Sequence, residues 1–68
     1  MKEISINSEF IKLDSFLKWA GITGMGAEGK FLINDGEIKV NGEVEFQRGK
    51  KLYKGDIVSY NSEDYKVV

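Results

Sequence analysis

The sequence predicts an α+β fold, with two short helices packed on a small antiparallel sheet. Three observations carry that expectation. Apolar and small residues recur twice at i, i+3, i+4, i+7, as Leu13, Phe16, Leu17, Ala20 and then Gly29, Leu32, Ile33, Gly36. That spacing marks one face of a helix. From Glu37 onward apolar and polar residues alternate instead, with the period of a strand. Asn41-Gly42 then sits between two alternating runs, the strongest short hairpin signal. Helices first and strands after them favour segregated layers over a parallel sheet. A chain of 68 residues is expected to form one small unit, 1–68, with a thin core.

Taken in order, Glu3–Asn7 alternates with Ile4 and Ile6 on one face and reads as a short edge strand. The first helix follows, with Asp14 or Ser8 as its cap depending on where it starts. Gly21 ends it, and Ile22 is expected to plug the core from the loop. The second helix runs roughly from Gly26 to Asp35. A glycine inside a helix costs about 1 kcal/mol against alanine, so Gly29 is expected where another backbone passes close by. Asn34-Asp35-Gly36 stops the helix. Glu37–Val40 and Glu43–Phe46 flank the Asn41-Gly42 turn. Lys54-Gly55-Asp56 makes another turn. Ile57–Tyr60 and Tyr65–Val68 then flank Asn61–Asp64 as a second hairpin.

Composition excludes several chemistries. There is no cysteine and no histidine. Disulfides, thiolate metal sites and the commonest general base are therefore absent. The first residues carry no long apolar run, so neither a signal peptide nor a membrane span is expected there. A reducing, cytoplasmic setting fits. Glu43 and Glu45 share a strand face, but without histidine or a deep cleft they read as solvated charges rather than an acid/base pair. The net charge is −1 and the pI about 5.3, which alone argues against strong nonspecific nucleic-acid binding. The distribution says more than the sum. Arg48, Lys50, Lys51 and Lys54 fall in a stretch without an acid, while the acids gather at Asp35–Glu37, Glu43–Glu45 and Glu63–Asp64.

Gly24-Met25-Gly26-Ala27-Glu28-Gly29 fits G-x-G-x-x-G, and with Lys30 it is one residue short of a P-loop. Both fingerprints require a preceding strand in a βαβ unit. A helical pattern precedes this one, and Phe31 offers no hydroxyl to a magnesium ion. No nucleotide cofactor and no small-molecule substrate are expected. A glycine-rich helix entry remains, whose N–H groups can meet a phosphate, including one in a nucleic-acid backbone.

Ile11-Lys12-Leu13-Asp14-Ser15-Phe16-Leu17-Lys18, then Glu28-Gly29-Lys30-x-Leu32-Ile33-x-x-Gly36-x-Ile38-x-Val40-Asn41-Gly42, then Lys54-Gly55-Asp56-Ile57-Val58 occur in that order. Together they resemble the RNA-binding domain of the ribosomal protein S-four type, the alpha-L RNA-binding motif. The likeness runs from about Ile11 to Val58 and is greatest to the small stand-alone, YaaA-like members. It implies binding to structured or ribosomal RNA without catalysis. Two positions depart from the family pattern. Lys12 stands where arginine is usual, which keeps the charge and loses the bidentate fork. The second helix opens on Gly24-Met25-Gly26-Ala27, without the usual serine and basic residues.

With that resemblance, the expected RNA contacts are Lys12, Trp19, Gly24, Gly26, Lys30, Arg48, Lys50, Lys51 and Lys54. The cations would meet phosphates, and the two glycines would bring backbone N–H groups close. Trp19 lies beside Lys12 on a helical wheel and is a candidate for base stacking. A half-buried ring sealing the core edge is the preferred reading of it. Phe31 is expected in the core, and Tyr53, Tyr60 and Tyr65 as ordinary strand aromatics. Met25 is either an apolar cover or a sugar contact. The competing function is a protein-interaction module that kept the scaffold and lost RNA, pairing through the second hairpin edge near Tyr60 and Tyr65.

Overall fold

Ile11 and Lys12 are extended for two residues, and the chain then turns directly into a helix. In the computed structural model these are strand β2 (Ile11–Lys12) and helix α1 (Leu13–Trp19). The structure describes residues 1–24 and 26–68, without the side chains of residues 26 and 27. The expectations for Met25 and for the surroundings of Gly26 lie outside the described residues. The remaining elements are β1 (Lys2–Ile4), α2 (Gly26–Asn34), β3 (Lys39–Val40), β4 (Glu43–Val44), β5 (Lys51–Leu52), β6 (Ile57–Tyr60) and β7 (Glu63–Val67).

Strands β1-β7-β6-β3-β4 form one sheet, and β2-β5 a separate two-stranded ladder. Most pairs are antiparallel, as expected, but β1 runs parallel to β7, with Lys2 opposite Tyr65 and Ile4 opposite Val67. Strands β6 and β7 each have two neighbours, so the free edges of this sheet are β1 and β4. The hairpin edge that the protein-interaction alternative relied on is therefore already paired. That hairpin is also tighter than expected. Tyr60 pairs with Glu63 across Asn61 and Ser62, both at positive φ, the primed turn that matches strand twist. Asn41 and Gly42 do the same between β3 and β4, at φ 52° and 88°.

Both helices stop the same way. Gly21 lies at φ 77°, and its N–H donates to the Lys18 carbonyl while Ile22 donates to Leu17. Gly36 lies at φ 75°, with Gly36 donating to Ile33 and Glu37 to Leu32. These are two Schellman closures, for which glycine supplies the left-handed residue. Ile22 packs against the core, as expected.

The core is one cluster fed from every layer. Leu13, Phe16 and Leu17 come from α1, Ile33 from α2, Ile38 and Val40 from the β3 segment, and Leu52, Val58 and Val67 from later strands. Phe31 is not among them and is 62% exposed. Leu32 and Ile33 face inward with Gly29, which leaves the neighbouring position on the solvent side of the helix. Gly29 is buried against α1, where a Cβ would stand 3.6 Å from Leu17 Cδ1 and 3.8 Å from the Asp14 carbonyl. The expected close backbone is there, at ordinary contact distance with room for a methyl. Gly29→Ala should therefore raise stability by about 0.5–1 kcal/mol through helix propensity. A thermal melt that falls instead would show that the helices are packed more tightly than this geometry.

Candidate nucleic-acid interface

A helix start leaves its first N–H groups without partners. At α1 the residue before the helix is Lys12, which makes no side-chain cap. Asp14 serves locally, its Oδ1 accepting the Ser15 N–H at 2.8 Å. The other partners come from far along the chain. Leu13 N–H donates to the Lys50 carbonyl at 2.9 Å, and Asp14 N–H to the Arg48 carbonyl at 3.1 Å. The expected Asp14 or Ser8 cap is thus replaced by backbone from the basic segment. Ser8 turns elsewhere, its hydroxyl donating to the Phe10 carbonyl.

This clamp makes the start of α1 and the basic segment one surface. The β2-β5 ladder continues it, with Ile11 opposite Leu52 and Lys12 opposite Lys51. Leu52 is buried, whereas Lys12 and Lys51 are both exposed. Two lysines directly across a ladder repel one another, at a cost of about 0.2–1 kcal/mol. Arg48 and Lys50 are also exposed. The ion pair found among the described residues joins Lys2 and Glu63 at 3.9 Å, at the β1 side of the sheet. No carboxylate among the described residues forms a salt bridge with Lys12, Arg48, Lys50, Lys51 or Lys54. Lys12, Arg48, Lys50 and Lys51 thus lie on joined segments without a salt bridge among the described residues, with Asp14 as the carboxylate at the same clamp.

The remaining candidates stand at varying removes from it. Lys54 follows Tyr53 in the turn before β6 and is exposed. Lys30, also exposed, follows the residue that packs α2 against Asp14 and Leu17. The Gly24 N–H donates to Glu28 Oε1 at 3.0 Å. A carboxylate thus occupies the amide that was expected to face a phosphate. Gly26 is the first residue of α2. Trp19 ends α1, six residues past Leu13 and so about 9 Å along the axis. It is 62% exposed rather than half-buried, and its indole N–H donates to the Ser5 carbonyl at 2.8 Å. The ring ties the loop after β1 to the helix, away from the basic segment.

Two aromatic residues were missed as site residues, Phe10 unassigned by the sequence and Tyr53 expected in a strand. Phe10 and Tyr53 face each other with ring centroids 6.1 Å apart, and Lys51 Nζ stands 4.7 Å above the Phe10 ring. Tyr53 lies outside any strand, contrary to expectation, and is 46% exposed. An aromatic interleaved in Lys50-Lys51-Leu52-Tyr53-Lys54 was the available signal.

The profile of the S4 domain matches residues 4–68. The chain belongs to the S4 domain family. Among relatives of this S4 domain, the probable ribosome maturation protein RlbA of Bacillus subtilis (strain 168) is 44% identical over 55 residues, which cover 81% of this chain and 78% of RlbA. The putative RNA-binding protein YbcJ of Escherichia coli (strain K12) is 34% identical over 58 residues, covering 85% of this chain and 83% of YbcJ. The solution structure of YbcJ, described as an alfaL motif involved in RNA binding, covers all of this S4 domain and 87% of its own chain, with a TM-score of 0.75 and 32% identity. The 30S ribosomal protein S4e from Thermoplasma acidophilum shares the fold, with a TM-score of 0.76 and 21% identity over 91% of this chain and 33% of its own. Among the described residues, no helix is long and apolar enough to cross a membrane, and no acidic, cysteine or histidine group could hold a metal ion.

Proposed function

We propose that this chain is a noncatalytic RNA-binding module, one unit from 1 to 68, that contacts structured RNA of the ribosomal kind through phosphates and helix shape. The observation that carries the reading is the set of exposed cations, free of salt bridges among the described residues, where the basic segment caps α1. Lys12, Arg48, Lys50 and Lys51 form its centre, with Lys30 and Lys54 extending it. A backbone clamp and a β ladder hold the chain that carries these cations, so little backbone freedom is lost when a phosphate row docks. Membership in the S4 domain family supports it, as do the descriptions of YbcJ as RNA-binding and of RlbA as a ribosome maturation protein. Rigid elements present the charge, and phosphate contacts set register without reading sequence. The Gly24–Lys30 stretch follows helix α1 rather than a strand, so it lacks the context of a nucleotide-binding loop. The reading places the protein in the cytoplasm beside its RNA.

The test is a salt titration of binding to a structured ribosomal RNA fragment. If four to six phosphates are neutralised, log K should fall against log salt with a slope of about −3 to −5. A flat response would remove the electrostatic basis of the proposal.

A further inference from the structure

Phosphate contacts leave one feature of this surface unused. Tyr53 is 46% exposed, between Lys51 and Lys54 in the sequence, in a protein whose other tyrosines are partly buried in strands. Its backbone N–H donates to Asp56 Oδ2 at 2.8 Å. Asp56 Oδ1 in turn accepts from the Asn41 side-chain amide at 3.1 Å, and Asn41 Oδ1 accepts from Ile57 N–H. The turn that carries the ring is thus anchored to the β3-β4 hairpin. Phe10 supports the ring from the side, tilted by 49°. Lys51 stands over one face of Phe10. Tyr53, unlike Phe10, lines an open hollow of about 570 Å³ with Asn7, Ser8, Glu9 and Lys54.

We infer that Tyr53 is a stacking platform for one unpaired RNA base, inserted into this hollow beside the phosphate-binding cations. The inference rests on the RNA reading above and adds to it a single-stranded nucleotide as the ligand. Three features fit that occupant. An exposed aromatic face offers a base the stacking that no phosphate uses. Lys54 lines the hollow with the ring and Lys51 stands over the neighbouring Phe10, where they can hold the phosphates next to the flipped nucleotide. Glu9 in the hollow repels a phosphate but accepts hydrogen bonds, and Asn7 both donates and accepts. The hollow therefore suits the edge of a base that carries N–H donors, with its backbone left outside among the lysines.

The experiment compares three labelled RNA hairpins of the same stem: one with a single unpaired guanosine, one with an abasic nucleotide in its place, and one fully paired. Tyr53→Leu keeps apolar bulk and the backbone bond to Asp56 but removes the π face. It is expected to weaken binding of the guanosine hairpin by roughly tenfold and of the other two by less than about twofold. Tyr53→Phe should restore the wild-type preference, and the salt slope should stay as in the wild type. An equal loss on all three hairpins, or no loss on the guanosine hairpin, would overturn the platform. Wild-type protein that binds all three with a steep salt slope while Tyr53→Leu changes nothing removes the platform and leaves the phosphate reading standing. Wild-type protein that binds none removes both.

Discussion

Replacing Lys50 and Lys51 together by glutamate is expected to weaken RNA binding by more than roughly tenfold and to leave the chain folded. Both side chains are exposed, so their reversal uncovers no core. What Lys50 gives the fold is its backbone, which accepts the Leu13 N–H and donates to Gln47. That contribution survives any side chain. At Lys51 two effects oppose each other. The cation over Phe10 is lost, worth about 0.5–1 kcal/mol at an exposed site. The like-charge pair with Lys12 becomes an opposite pair, a gain of about the same size. The melting temperature should therefore stay close to the wild type while the salt slope shrinks by about one to two units as two phosphate contacts go. Anisotropy titrations beside a circular-dichroism melt would check both. A folded double variant that binds as well as the parent would move the interface away from the basic segment.

The same contacts explain which parts of the molecule were legible in the sequence. The helices were, because each carries a full apolar stripe and ends on a glycine at positive φ. Asn41-Gly42 was, because its conformation is demanded by those two residues. The β2-β5 ladder was not. Each strand has two residues, too few to show a period, and the pairing joins positions some forty apart. Missing that ladder also hid the cap on α1, since Leu13 and Asp14 find carbonyls that no local motif announces. The cations of the site were readable as a charge run, and the resemblance set them beside the start of α1; the backbone clamp and ladder that join them to Lys12 were tertiary facts. Phe31 was expected in the core and Tyr53 in a strand, and β5 ends at Leu52, one residue short of Tyr53. Hydrophobicity suggests burial for Phe31, but its ring has no inward position left to it once Leu32 and Ile33 have filled the core. Gly24 adds a contact that no spacing announced, because a side chain four residues on takes its amide.

Two aromatic truncations in α1, three residues apart, should differ sharply in effect. Phe16 is completely buried at the centre of the cluster. Phe16→Ala is expected to cost about 3–5 kcal/mol. A chain of 68 residues has about 3–10 kcal/mol in total. Without disulfides, and with no metal site among its described residues, it has no other staple, and one side chain can take much of its stability. The melting temperature should fall by about 12 °C or more. Trp19 is the larger ring but is mostly in solvent, so Trp19→Ala gives up little packing and one hydrogen bond to the Ser5 carbonyl. That bond is worth about 0.5–1.5 kcal/mol, or a fall of about 2–12 °C. Because Trp19 lies at the far end of α1 from the basic segment, its loss should also leave RNA affinity unchanged. If Trp19→Ala proved the more damaging of the two, α1 would have to be turned on its axis. That rotation would carry Leu13, the residue clamped to Lys50, out of the core and undo the frame on which the cations stand.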